Sequence, residues 1–198
     1  MNALLIYTHP NPASFCHAVY GAAKQALAEA GCQLRCRDLY ADGFDPKLSA
    51  ADLDSLRAGV VPEDIREEQA LIAWADLIVF IYPVWWYGRP ALLKGWIDRV
   101  LTPGFAYRYE EAGVNGLLAG KRAVVLQTTG APREAYAAND EEDAIVTPMR
   151  DGTLRFCGLE VPAFKTLYAV PYITQRAREE LLRGVYATLT AVATNAPS

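Results

Sequence analysis

Long apolar runs are missing from this sequence. No segment approaches the length of a bilayer span, so a transmembrane helix and stable membrane insertion are not expected. The opening MNALLIYTHP leads straight into a strand pattern with neither a cationic flank nor a cleavage site, which predicts a cytoplasmic protein. Surplus positive charge is missing too: 19 Lys and Arg against 23 Asp and Glu give a net charge of −4 and a pI near 5.2. With no basic face, no nucleic-acid partner is expected. Cysteines number four. Cys32 and Cys36 stand in strand-like sequence while Cys16 and Cys157 are isolated, a spacing that fits neither zinc nor a disulfide framework. They read as small buried hydrophobes. Asn139 followed by Asp140, Glu141, Glu142 and Asp143 reads as a capped helix start with acids on its dipole, so no metal is expected. GxGxxG and GxxxxGK[ST] are both absent, which removes the sharpest markers of Rossmann dinucleotide and nucleoside-triphosphate sites.

What remains is an ordinary globular chain: 198 residues, 52% hydrophobic and 21% charged, predict one domain over residues 1–198. Its strongest local signal is DLIVFIYPVWWYGRPALLKGWIDRVL, Asp76 to Leu101. Leu77 to Tyr82 suits a strand buried on both faces, and Pro83 ends it. Pro90 then suits a first helical turn, and Leu92, Leu93, Trp96, Ile97, Val100 and Leu101 recur at helical spacing. Between strand and helix lie Trp85, Trp86 and Tyr87, bounded by Pro83 and Gly88. In an open α/β sheet, loops at the carboxyl ends of strands line the ligand crevice. These aromatics therefore either face a flat ligand or pack as core, and spacing alone leaves both open.

The same strand, loop, helix order opens the chain. Ala3 to Tyr7 is strand and Thr8 to Ala13 is loop; Ser14 caps a helix that Gly31 stops. A loop feeding a helix N-terminus is a ready anion site, to which Ser14 adds a hydroxyl. His9 either faces that ligand or satisfies loop backbone. Gln33 to Leu39 is a second strand, and a long connection, Tyr40 to Val61, holds a short helical turn after Ser49. Pro62 to Asp64 open a helix reaching Ala75. Phe105, Tyr107 and Tyr109 share one side if extended, as a site wall would. Lys121 to Gln127 is strand, ending in the hydroxyl and glycine loop Thr128, Thr129, Gly130. A helix then runs to Phe156, Val161 to Val170 is the last strand, and Thr174 caps a closing helix with Leu181, Leu182, Val185, Tyr186 and Leu189 inward. This order predicts a doubly wound α/β fold: five parallel strands in order 2-1-3-4-5 with helices on both faces. Its crevice lies between strands one and three. A phosphate site at one end and a flat aromatic body at the other outline a flavin nucleotide.

Several segments in one order carry a family likeness: HPNPASF from His9, DLYADGFDP from Asp38, ADLIVFIYPVWWYGRPALLKGWIDRV from Ala75, GFAYRY from Gly104, TTG from Thr128 and FCG from Phe156. Over nearly its whole length the chain resembles the flavodoxin-like NAD(P)H:quinone oxidoreductases, the DT-diaphorase group and its bacterial relatives. The resemblance implies that His9, Ser14 and Phe15 bind the flavin's diphosphate. It implies that Pro83, Val84, Trp85, Trp86 and Tyr87 hold the isoalloxazine ring, and that Thr128, Thr129 and Gly130 complete its polar edge. Tyr107 and Tyr109, with Trp86, would wall the substrate slot, the two tyrosines reaching over from a partner subunit of a homodimer. Tyr136 matches a tyrosine that stabilises the reduced flavin. Arg178 lies where FAD-using members place an arginine near the adenosine, which implies FAD, with FMN the alternative found in bacterial members of this size.

Two departures from the family pattern stand out. Ala131 replaces a second glycine, and the histidine beyond Tyr136 is absent, with Glu142 nearest in the count. The expected activity is two-electron reduction of a quinone or similar acceptor by NADH or NADPH, a ping-pong hydride transfer through flavin N5. A flavodoxin-like electron carrier and a regulatory flavoprotein subunit of a membrane transporter are the rival readings.

Overall fold

The computed structural model describes residues 1–137 and 141–195, the side chains of 137 and 141–143 excepted. Strand β1 (Asn2–Tyr7) leads to helix α1 (Phe15–Glu29), strand β2 (Gln33–Asp38), helices α2 (Ala50–Arg57) and α3 (Glu63–Trp74), and strand β3 (Leu77–Pro83). Helix α4 (Ala91–Val100), a hairpin of β4 (Tyr107–Glu110) and β5 (Gly113–Gly116), and strand β6 (Arg122–Thr128) follow. Helices α5 (Arg133–Ala137) and α6 (Glu141–Met149), a π-helical segment (Arg150–Arg155), strand β7 (Glu160–Leu167) and helix α7 (Gln175–Thr194) complete the chain. The parallel sheet has the order β2-β1-β3-β6-β7, the doubly wound order expected from the sequence.

The alternation of a pleated strand divides the core in two. Leu4, Ile6, Ile78, Phe80, Tyr82 and Val125 pack with Ile72, Leu93 and Trp96 of α3 and α4 on one face. On the other, Leu5, Val79, Ile81, Val124 and Leu126 pack with Val19, Ala23 and Leu27 of α1 and Val185 and Leu189 of α7. Every residue of β3 and β6 is buried, as the continuous apolar run of β3 requires. The edge strand β2 is mostly exposed or half-buried, and this overturns part of the cysteine reading. Cys16 and Cys157 are buried, but Cys32 is half-buried and Cys36 exposed. An edge strand under one helix has only one covered face, so a small hydrophobe there is not enclosed.

The caps read from the sequence are present. Ser14 accepts the His17 N–H, Thr174 accepts the Ala177 N–H, and Gly31 takes the left-handed backbone (φ +78°) that ends α1. The helical turn after Ser49 is longer than expected, eight residues closed by a Ser49–Asp52 capping box. The long connection holding it is clamped onto α4. Arg99 bonds both Asp52 carboxylate oxygens at 3.1 and 3.2 Å and the Asp45 carbonyl at 2.9 Å. A Cβ on Gly95 would come within 2.1 Å of the Pro46 carbonyl oxygen, so the close approach needs glycine.

The stretch between α4 and β6 holds the β4–β5 hairpin, with Tyr107 and Tyr109 on its first strand and their rings side by side, as the extended reading requires. One further expectation needs correction. The helix expected to run to Phe156 widens into π geometry at Arg150. Pro148 inside α6 has no N–H to give, and Thr153 Oγ1 donates to its carbonyl at 2.8 Å. In α7 Val185 and Leu189 are buried and Leu181, Leu182 and Tyr186 are half-buried against the same cluster, the inward face read from the sequence. The expected cap at Asn139 and Asp140 lies outside the described residues, as do the side chains of Glu141, Glu142 and Asp143.

Candidate active site

The carboxyl ends of β1, β3 and β6 meet in one cleft of about 680 Å³, in the range of small-molecule and cofactor sites. It gathers His9, Ser14 and Phe15 from the first loop and Pro83, Val84, Trp85 and Trp86 from the second. Thr128, Thr129 and Gly130 come from the third, and Arg178 from α7. Residues far apart in sequence converge because parallel strands end on the same side.

At the phosphate-like end the α1 N-terminus faces the cleft. The His17 N–H is met by Ser14 Oγ at 3.1 Å, but the N–H groups of Phe15 and Cys16 belong to the first turn, which the helix itself does not satisfy. His9 Nδ1 lies 3.0 Å from the Asn11 nitrogen and 3.2 Å from the Asn11 carbonyl oxygen, so it bonds the backbone of that loop residue in either tautomer. Burial holds its pKa below the usual imidazole value and keeps the ring neutral. Nδ1 thus orders the loop backbone, while the ring lines the cleft, 5.8 Å from Trp85 between centroids. Arg178 extends from α7 with Nη2 donating to the Val170 carbonyl at 3.0 Å, while its Nε is buried without a partner.

At the aromatic end, Trp85 to Gly88 form a tight turn closed by two backbone bonds, Trp85 N–H to Gly88 O at 2.9 Å and Gly88 N–H to Trp85 O at 3.0 Å. Trp86 (φ +49°) and Tyr87 (φ +57°) both occupy the left-handed region. That is the backbone of a type I′ turn, which normally selects Asn-Gly. Two bulky aromatics there cost roughly 1–2 kcal/mol each. The turn leaves Trp85 42%, Trp86 99% and Tyr87 49% exposed, so none of the three rings is a core residue of this chain.

Four residues singled out in the sequence do not line the cleft. Tyr87 and Tyr136 lie beside it, their rings edge to face at 5.6 Å, with Tyr136 buried among Val84, Ile145, Val146 and Tyr168. Tyr107 and Tyr109 sit on the hairpin, 5.7 Å apart, with Tyr107 edge-on to Phe156 at 5.0 Å. Within one chain Tyr107 lines a different cavity and Tyr109 is exposed. Conversely, Cys16, Val170 and Pro171 line the cleft without having been singled out. Cys16 is in the first turn beside Phe15, and Val170 and Pro171 follow the end of β7, where the strand-end rule pointed but the strand was read three residues too long. The Cys16 thiol is pushed up to about 12 by burial, so it stays protonated.

The site's chemistry follows from this arrangement. Helix N–H groups, a serine, a neutral histidine and an arginine suit phosphate oxygens. The threonines and Gly130 offer donors and acceptors to a ring edge, and the indoles offer a flat apolar surface. Among the described residues no group of His, Cys, Asp and Glu is arranged to hold a metal, and no helix is long and apolar enough to cross a membrane.

Known proteins share this pattern. Residues 1–189 match the family model of the flavodoxin-like fold. An uncharacterised NAD(P)H oxidoreductase of Haemophilus influenzae is 37% identical over 92% of this chain and 91% of its own length. NAD(P)H dehydrogenase [quinone] 1 of Cavia porcellus is 34% identical over 92% of this chain and 74% of its own. The solved NAD(P)H:quinone oxidoreductase of Methanothermobacter marburgensis superposes with a TM-score of 0.87 at 31% identity, covering 97% of this chain and 96% of that one. The strand order, the crevice at its switch point and these likenesses over more than nine-tenths of the sequence lead to one conclusion: the chain belongs to the flavodoxin-like NAD(P)H:quinone oxidoreductase family.

Proposed function

We propose that the cleft holds FAD non-covalently and that this protein uses NADH or NADPH to reduce a quinone or similar aromatic acceptor by two electrons. The observation that carries the reading is the convergence of a phosphate-type end and a strained, exposed aromatic turn in one cleft at the sheet's switch point. A bound flavin would supply the hydride chemistry between the nicotinamide and the acceptor. The donor set fits such a group: the α1 N-terminus with Ser14 and His9 for the diphosphate, and Arg178, whose buried Nε lacks a protein partner, toward the adenosine end. Arg178 stands on α7, across the cleft from the first loop, and the choice of FAD over FMN rests on giving it the adenosine end and leaving the diphosphate to the α1 N-terminus. Trp85, Trp86 and the Pro83–Val84 backbone bound the ring on one side, and Thr128, Thr129 and Gly130 meet its polar edge. The protonated Cys16 thiol is no nucleophile, in keeping with non-covalent binding.

Tyr136, beside the cleft and edge to face with Tyr87, is assigned the stabilisation of negative charge that a bound flavin would develop on reduction. Tyr107 and Tyr109, turned away from their own cleft, are assigned to the acceptor slot of a second copy in a homodimer. The working compartment is the cytoplasm. Titrating the apoprotein with FAD and with FMN, followed by flavin fluorescence, tests the reading. Saturable binding with FAD tighter than FMN is the expected result. Binding of neither flavin removes the proposal, and tighter FMN binding removes the role of Arg178.

A further inference from the structure

Next to Arg89, the residue that follows the aromatic turn, lies a second cavity of about 300 Å³. It is lined by Arg89, Lys94 and Asp98 on one side and by Tyr107, Thr153 and Phe156 on the other. The hairpin is held here by contact with the end of the π-helical segment: a Cβ on Gly116 would lie 2.2 Å from the Gly158 nitrogen. That contact fixes Tyr107 edge-on to Phe156 and gives the cavity a rigid aromatic wall.

The charges do not balance. Lys94 Nζ is bonded to both oxygens of Asp98 at 2.6 and 2.7 Å, so Asp98 acts on Arg89 through space without bonding it. Arg89 has no carboxylate bonded to it among the described residues. Its Nη2 reaches Thr153 Oγ1 only at 3.4 Å, and its Nε is buried without a partner. Burial draws the guanidinium below its ordinary value, yet it remains a cation at neutral pH. The neighbouring Cys157 thiol is raised to about 11 by burial and adds no negative charge. One positive fork therefore faces an aromatic-walled space with nothing bonded to neutralise it. A planar aromatic carboxylate answers both features, its oxygens on the guanidinium and its ring against Tyr107 and Phe156.

We propose that this cavity binds the anionic end of an aromatic acceptor, with Arg89 holding a carboxylate and Tyr107 and Phe156 holding the ring to which it is attached. The inference rests on the reading of Tyr107 as a wall of the acceptor slot, and it makes Arg89 a specificity residue. The kinetic test uses 2-methyl-1,4-naphthoquinone carrying a propionate chain and the methyl ester of the same compound, whose reducible rings are alike. The acid is expected to have a kcat/KM about tenfold higher or more, carried by KM. Arg89→Met should bring the ratio to within about twofold of one, and Arg89→Lys should restore part of it, since the charge returns without the fork. Binding without turnover gives the second readout. By calorimetry, 1-naphthoate should bind the parent protein about tenfold tighter than 1-naphthamide. This comparison needs no variant, so it holds even if Arg89→Met does not fold. Equal affinity for naphthoate and naphthamide, or an acid-to-ester ratio near one in the parent protein, overturns the proposal. Reduction of neither quinone instead overturns the proposed activity, and the naphthoate comparison still decides the cavity.

Discussion

His9 bonds the Asn11 backbone through Nδ1, and burial lowers the pKa of its ring. The sign of the consequence is fixed. The folded form binds the proton less well than the unfolded chain, so the stability His9 contributes is full above the unfolded value of about 6.5 and is lost as pH falls through the lower folded value. His9→Gln should flatten that part of the pH profile, read as urea midpoints between about pH 7 and 5; a slope equal to the parent's would show that the ring is not held neutral. Tyr136 is the other residue whose chemistry is separable from its packing. Tyr136→Phe keeps the ring that meets Tyr87 and Tyr168, so flavin content should hold. Its hydroxyl, if worth about 1.4–2.7 kcal/mol to developing negative charge, accounts for a roughly 10–100-fold fall in the rate of flavin reduction. Anaerobic stopped-flow mixing with NAD(P)H measures this step alone, and an unchanged rate would leave Tyr136 a packing residue.

Among the elements, the Trp85–Gly88 turn sets stability against function. Its central pair would be cheapest as Asn-Gly, yet it carries two aromatics in left-handed backbone, one of them 99% exposed. Replacing Trp86 and Tyr87 together by Asn and Gly should stabilise the apoprotein by about 1 kcal/mol net of the entropy that glycine costs. For a chain of this length that is a rise in Tm of about 2–4 °C, read by scanning calorimetry. The same change should weaken flavin binding about tenfold or more, because each aromatic stacking contact contributes roughly 0.5–1.5 kcal/mol. If the apoprotein loses stability, or the flavin binds as before, the strain has no functional meaning. The hairpin β4–β5 behaves differently: its exposed Tyr109 and half-buried Tyr107 gain nothing from their own cleft, and their assignment depends on a neighbour.

That neighbour belongs to the scale of the whole molecule. If a second copy supplies the Tyr107 and Tyr109 wall, light scattering should report a two-fold dimer at assay concentrations. Turnover should fall with dimer dissociation on dilution, and a fully active monomer would remove the shared wall. A single slot used by donor and acceptor in turn predicts parallel lines when NAD(P)H and quinone are varied together, and intersecting lines would require two sites. An electron carrier, by contrast, would oxidise NAD(P)H only through a separate reductase.

The sequence by itself determined the sheet order, the buried central strands, the helix caps at Ser14 and Thr174, and the three loops that meet in the cleft. Those features follow from local signals, namely apolar runs, capping residues and proline, combined with the rule that parallel strands end together. Only the tertiary structure decided which aromatics are exposed, that Tyr136 lies beside the cleft and not in it, and that Arg89 has no bonded acid among the described residues. Exposure and charge pairing depend on what is folded against a residue from elsewhere in the chain: Phe156 against Tyr107, Thr153 beneath Arg89, Tyr168 behind Tyr136. The left-handed turn at Trp86 and Tyr87 was illegible for a related reason, since local preference opposes it and only its closure between β3 and α4 holds it in place.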